Sequence, residues 1–182
     1  QNMSTNKKDP RAMRSQRMLK EALVALLNEK TDLQALTVKK VADKAELNRA
    51  TFYLHFVDLN DLLKDLVKDI FSDLEEKLKP LLLLESSNER TQLLSYLDYF
   101  YNHRIMFSVL FKEDRFKRKM HKEIKSFIKA RRTTRQVLDG PERVSLDILA
   151  SAMFGVIEWW LEEGTQHSSE YIVKQIELLF RR

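Results

Sequence analysis

An all-α fold is predicted, and three observations predict it. Glycine and proline number only three each in 182 residues, too few turn formers for a many-stranded sheet. Apolar residues recur with helical spacing in one segment after another. A chain of this length that is 43% hydrophobic can bury a sizeable core, as one larger domain or as a small domain joined to a larger one.

Residues 10 to about 28 carry Met18, Leu19, Ala22, Leu23, Ala25, Leu26 and Leu27 at helical spacing, with Asp9-Pro10 as N-cap and first turn. A link over 32–36 follows. Thr37 then offers a capping hydroxyl ahead of Val38, Val41, Ala42 and Ala45, the stripe of a short second helix. Glu46 and Leu47 form a turn, and Asn48 caps a third short helix reaching about residue 55. Residues 57–60 break it.

Residues 59 to about 79 read as a long amphipathic helix ended by Pro80, with Leu62, Leu63, Leu66, Val67, Ile70, Phe71, Leu74 and Leu78 on one side. A loop is expected over 81–88, and helices over 89 to about 102, 104 to about 111 and 115 to about 138. Asp139-Gly140-Pro141 is a breaker. Helices over 142 to about 163 and 168 to 180 complete the chain. The first of these is apolar on nearly every face.

The net charge of +5 is unevenly spread. Residues 1–56 hold 11 Lys and Arg against 6 Asp and Glu, whereas the remainder holds 21 of each. That asymmetry suggests a basic module for a polyanion attached to a balanced body, although a basic tail aiding solubility would give the same count. Cysteine is absent, which removes disulfides, thiolate metal sites and a Cys nucleophile and suits a reducing interior. The longest apolar run, Leu81 to Leu84, is too short to span a bilayer, and no signal-peptide pattern opens the chain. A soluble cytoplasmic protein without membrane contact is expected. Gln1-Asn2, ahead of Met3, reads as an addition outside the fold.

A short helix, a tight turn and a second short helix rich in polar and aromatic groups form the outline of a helix-turn-helix, whose second helix enters the major groove. Leu47, Phe52 and Phe56 are expected to face the core there, and Asn48, Arg49, Thr51, Tyr53 and His55 to project away from it. Arg can bond two acceptors on guanine, Asn and Thr can reach base edges, and Tyr and His can donate to phosphates. Thr37, Lys39 and Lys40 at the start of the second helix would attract phosphate without regard to sequence.

The run TVKKVADKAELNRATFYLHFVDLNDLL, residues 37–63, resembles the signature of the TetR family of bacterial transcriptional regulators. It has the Thr-Val start, an Ala-x-x-Ala pair, Thr-Phe-Tyr-x-His-Phe and a following Leu-Leu. The resemblance implies a homodimer that binds double-stranded DNA through its first three helices, residues 1–57. It also implies a helical domain over 58–182 that binds a small-molecule effector and dimerises through its last two helices. The family's recognition contacts fall on Arg49, Thr51, Tyr53 and His55, and its phosphate-facing helix start on Thr37. Two positions depart from the pattern. The usual turn glycine is Glu46, which brings a negative charge near the expected DNA backbone path, and the usual lysine after the aromatic motif is Leu59. The C-terminal runs ASAMFGVIEWWLEEG and YIVKQIELLF are similar to a Firmicutes-type subgroup that includes regulators of dihydroxyacetone kinase.

Adjacent helical residues point about 100° apart, so Trp159 and Trp160 cannot both face one core. Burial in a dimer accounts for the second face, and the candidate interface comprises Phe154, Ile157, Trp159, Trp160, Ile176 and Phe180. Tyr96, Tyr99, Phe100, Phe107 and Phe111 are candidates for an effector pocket, and core packing explains the same rings equally well. The ten Lys and Arg between 115 and 135 read as the solvated face of an amphipathic helix backed by Phe116, Met120, Ile124, Phe127 and Ile128. His103, His121 and His167 are scattered, with no His-x-x-x-His pair, so no metal site is expected. No phosphate-cradling loop, nucleophile elbow or paired His-Glu motif is present, so no catalytic residue, cofactor or enzymatic activity is expected. The expected function is a ligand-responsive DNA-binding regulator, a repressor on an inverted-repeat operator. An activator or co-regulator of the same fold and a helical protein-interaction module are the alternatives.

Overall fold

The computed structural model describes residues 9–82, 88–135 and 143–180. Among them the α-helices are α1 (Pro10–Asn28), α2 (Val38–Lys44), α3 (Arg49–His55), α4 (Leu59–Leu82), α5 (Glu89–Asn102), α6 (Arg104–Leu110), α7 (Asp114–Thr134), α8 (Leu146–Glu162) and α9 (Ser169–Leu179). A 3-10 turn at Leu33–Ala35 precedes α2, and the described residues hold no strand. The fold is all-α, as the composition predicts. The chain divides into two compact units, residues 1–70 and 71–182, with the division inside α4.

In the first unit each helix start has a local cause. Asp9 accepts a bond from the Arg11 N–H at 3.0 Å, and Pro10 takes the first helical position, where a missing N–H is harmless. Thr37 Oγ1 accepts from Lys40 N–H at 3.1 Å, Asn48 Oδ1 from Thr51 N–H at 2.8 Å, and Asp58 Oδ1 from Asp61 N–H at 2.8 Å. α1 and the two short helices α2 and α3 pack on one another, with Leu19, Leu23, Leu27, Val41, Ala42, Phe52 and Phe56 buried. Leu62, Leu66 and Ile70 from the first part of α4 are buried as well. Lys20 of α1 reaches Asp65 at 3.2 Å and Asp69 at 2.6 Å. Burial opposes its charge, but the hydrogen bonds to the two carboxylates outweigh that and raise its pKa.

The second unit has an aromatic core. The Phe107 ring centroid lies 4.7 Å from Phe100, 6.2 Å from Phe116 and 6.3 Å from Phe111. α7 packs on α8, α6 on α8, and α5 on α9. Trp160 is fully buried, stacked on Tyr101 at 5.7 Å, and its Nε1–H donates to the His167 carbonyl at 3.0 Å, so the one polar atom of the indole is satisfied.

Several helix ends differ from the sequence expectation. α4 passes through Pro80 to Leu82. Proline cannot donate to the carbonyl one turn back, but Leu81 is buried immediately after it and holds the final turn in place. α8 begins at Leu146, four residues later than expected, because extended Ser145 accepts from the Ile148 N–H at 3.2 Å and caps the helix there. α7 starts at Asp114 and ends at Thr134. The expected loop positions 83–87, Leu138, the breaker Asp139-Gly140-Pro141 and Glu142 lie outside the described residues.

Candidate nucleic-acid interface

The turn between α2 and α3 is closed by two bonds. Leu47 N–H donates to the Ala42 carbonyl at 2.9 Å, and Glu46 N–H donates to the Asp43 carbonyl at 3.1 Å. This is the Schellman arrangement, and it requires a left-handed residue just past the helix end. Glu46 is that residue, with φ 56°. The position at which the resemblance expects glycine is therefore one where glycine would relieve strain, since a side chain in the left-handed region costs roughly 1–2 kcal/mol. The end of α1 repeats the arrangement at Lys30, with φ 60°.

α3 is held by Phe52 and Phe56, both buried, whose rings lie 5.8 Å apart. Leu47 beside the turn is half-buried. Arg49 is exposed, His55 is half-buried, and Tyr53 is about half exposed with its ring edge-on to Phe52 at 5.4 Å. Asn48 Oδ1 accepts from both the N–H and the hydroxyl of Thr51, at 2.8 and 2.9 Å. The two side chains brace each other, leaving the Asn48 amide N–H groups to reach outward. On α2, Lys39 pairs with Asp43 at 3.1 Å and Lys40 Nζ donates to the Ala35 carbonyl at 2.8 Å. Both lysines sit at the exposed surface. The Thr37 hydroxyl accepts the cap bond and keeps its own O–H as a donor. Leu54 is a feature the sequence reading missed. It is 79% exposed, and the signal lay in its spacing, two residues from each of the buried Phe52 and Phe56.

Residues 87–182, just over half of the chain, match the TetR_C_8 family, described as a transcriptional regulator C-terminal region. The chain belongs to the TetR family of transcriptional regulators. A curated relative, the uncharacterized HTH-type transcriptional regulator YxbF of Bacillus subtilis (strain 168), is 26% identical over 171 residues, covering 87% of this chain. The chain spans only 42% of that relative's length. Solved structures with a similar fold include a TetR transcriptional regulator from Streptococcus agalactiae 2603V, with TM-score 0.69, 23% identity and coverage of 96% of this chain and 98% of that one. Another is the dihydroxyacetone kinase operon activator DhaS, with TM-score 0.66, 18% identity and coverage of 92% and 94%.

In the family's C-terminal region, Tyr96, Phe100, Phe107 and Phe111 are buried, and burial pushes the Tyr96 hydroxyl pKa up. Tyr99 is half-buried and its hydroxyl donates to Asp73 at 3.3 Å. Tyr99 also lines a surface depression of about 380 Å³ with Lys77, Ser95, Asp98, Asn102 and His103. On α8 and α9, Ile157, Trp160 and Ile176 are buried within the chain, Phe154 and Phe180 are half-buried, and Trp159 is 43% exposed. Ile148, Tyr171, Leu178 and Leu179 are exposed beside them in the sequence. Gly164 gives Trp159 its seat, because a Cβ there would lie 2.9 Å from the indole ring. Along α7 several of the cations are paired, Lys117 with Glu158 at 3.2 Å, Lys125 with Asp147 at 2.6 Å and Arg131 with Glu89 at 2.9 Å. Among the described residues no helix is long and apolar enough to cross a membrane.

Proposed function

We propose that this TetR-family chain is a ligand-responsive repressor that binds an inverted-repeat operator as a homodimer and is released by a small-molecule effector. The observation that carries the DNA-binding part is the build of α3. Two buried phenylalanines and a hydrogen-bonded turn fix the helix, and Arg49, Tyr53 and Leu54 stand exposed on it. Arg49 supplies base-edge recognition, and Thr37, Lys39, Tyr53 and His55 supply phosphate contacts. Residues 1–57 are the DNA-binding part and 58–182 the effector and dimerisation part.

Self-association would use the exposed side of α8 and α9. Ile157, Trp160 and Ile176 belong to the protomer's own core, so Trp159, Tyr171, Leu178 and Leu179, with half-buried Phe154 and Phe180, form the surface offered to a second copy. Effector entry would be at Tyr99, a reading supported by its membership of both the aromatic cluster and the surface depression. An effector acts by favouring a spacing of the two recognition helices that no longer matches the half-sites, with a coupling of about 1–3 kcal/mol.

Titration against duplex DNA at several salt concentrations tests the central claim. A steep fall in affinity with salt is expected, because each neutralised phosphate releases counterions. Salt-independent or absent binding would favour the protein-interaction alternative. The fold neighbour DhaS is named an operon activator, which makes activation the second reading. A reporter gene placed behind the selected site gives the sign directly.

A further inference from the structure

Single exposed leucines are ordinary on protein surfaces, so exposure alone says nothing about Leu54. Its position does. At about 100° per residue, Leu54 lies about 160° around the helix from both Phe52 and Phe56, the two rings that anchor α3. It therefore occupies the outermost line of the recognition helix, together with exposed Ala50 one turn earlier. Of the polar residues flanking it, Tyr53 is about half exposed and lies about 100° away around the helix, and the other two are less available. Thr51 donates its hydroxyl to Asn48, and His55 is half-buried. The part of this helix that projects furthest is thus apolar, and 79% of Leu54 is in contact with solvent alone.

We infer that Leu54 is a specificity-determining residue that reads the 5-methyl group of thymine in the major groove, an inference that rests on the DNA-binding reading above. In the major groove thymine is the base that presents a methyl group, and apolar side chains select it by contact. A leucine can offer no hydrogen bond to the other base edges. Opposite cytosine it would cover the amino group without satisfying it, which carries a desolvation penalty. Leu54 therefore both rewards thymine and disfavours cytosine at the position it meets.

The experiment uses a site obtained by selection from random duplexes, with its thymines replaced one symmetric pair at a time by uracil. Uracil keeps the pairing and the hydrogen-bonding edge and removes only the methyl. Wild type is expected to lose about fourfold in affinity for each methyl removed at one symmetric pair, the equivalent of one buried methylene. Leu54→Ala, whose exposed position leaves the melting temperature unchanged, is expected to bind the thymine site more weakly and to lose no further affinity on the uracil site. A selected site whose thymines can all be replaced without loss overturns the leucine contact and leaves the DNA reading intact. Equal methyl sensitivity in wild type and Leu54→Ala overturns it likewise. Failure to select any sequence overturns the DNA reading itself.

Discussion

At the scale of single residues, the strained and the exposed positions carry the testable content. Glu46 holds φ 56°, and Glu46→Gly exchanges a left-handed cost of roughly 1–2 kcal/mol for a loss of about 0.5–1 kcal/mol in chain entropy. A net gain of about 0.5–1 kcal/mol is expected in denaturant unfolding, together with tighter DNA binding because a negative charge is removed. Unchanged stability would mean that the turn relaxes around glycine. Arg49→Ala should relax the choice of base at one symmetric pair of positions by about 1–3 kcal/mol while leaving random-sequence binding much less affected, as measured by competition between selected and random duplexes. Lys39→Ala should weaken both alike and lower the salt slope by about one unit. The exposure of Arg49 and Lys39 just after a cap is legible in the sequence, because a residue's type and its place in a helix are local facts. Leu54 is less legible, because an apolar side chain on a recognition helix takes its meaning only from its angle to Phe52 and Phe56.

At the scale of helices, what could be read in advance followed the range of the interaction. Thr37 and Asn48 are legible as helix starts because a capping oxygen meets an N–H three residues on, and each does so; Ser168, at the expected start of the last helix, caps in the same way. The ends of α4 and α8 were misplaced for the opposite reason. Pro80 is a stop signal locally, yet burial of Leu81 carries the helix past it. A helix is expected directly after the breaker at 139–141, yet Ser145 sets the start. Ile157, Trp159 and Trp160 looked alike as apolar groups on one helix, and only packing separates the two buried ones from the exposed one. Gly155 offers a test of that exposed side. It lies within α8, and a Cβ there would meet nothing within 4 Å apart from its chain neighbours and the adjoining backbone of its own helix, so packing within one protomer gives no reason for it. Gly155→Ala should add about 0.5–1 kcal/mol to the protomer, measured by denaturant unfolding in a Trp159→Glu background that keeps the chain monomeric. In the otherwise natural chain the same change should weaken self-association in sedimentation, because a helix of a second copy would meet the added methyl.

At the scale of the whole molecule, symmetry is the property from which the proposed regulation follows. A surface of Trp159, Tyr171, Leu178 and Leu179 that pairs with its own copy gives a two-fold assembly, and two α3 helices related by that axis read two half-sites in opposite directions. The preferred sequence should then be an inverted repeat whose half-site centres lie about one helical turn of DNA, or a multiple of it, apart. Trp159→Glu separates the two consequences, because it places a charge on the proposed interface while leaving buried Trp160, Ile157 and Ile176 untouched. A charge at Ile176 would instead break the protomer's own core. The Trp159→Glu chain should sediment as a monomer and melt as a folded protein. It should bind a single half-site about as well as wild type does, and it should lose the gain in affinity that wild type draws from the second half-site. Wild type that selects a sequence without two-fold symmetry would remove the inverted-repeat operator, and a Trp159→Glu variant that remains dimeric would remove this interface.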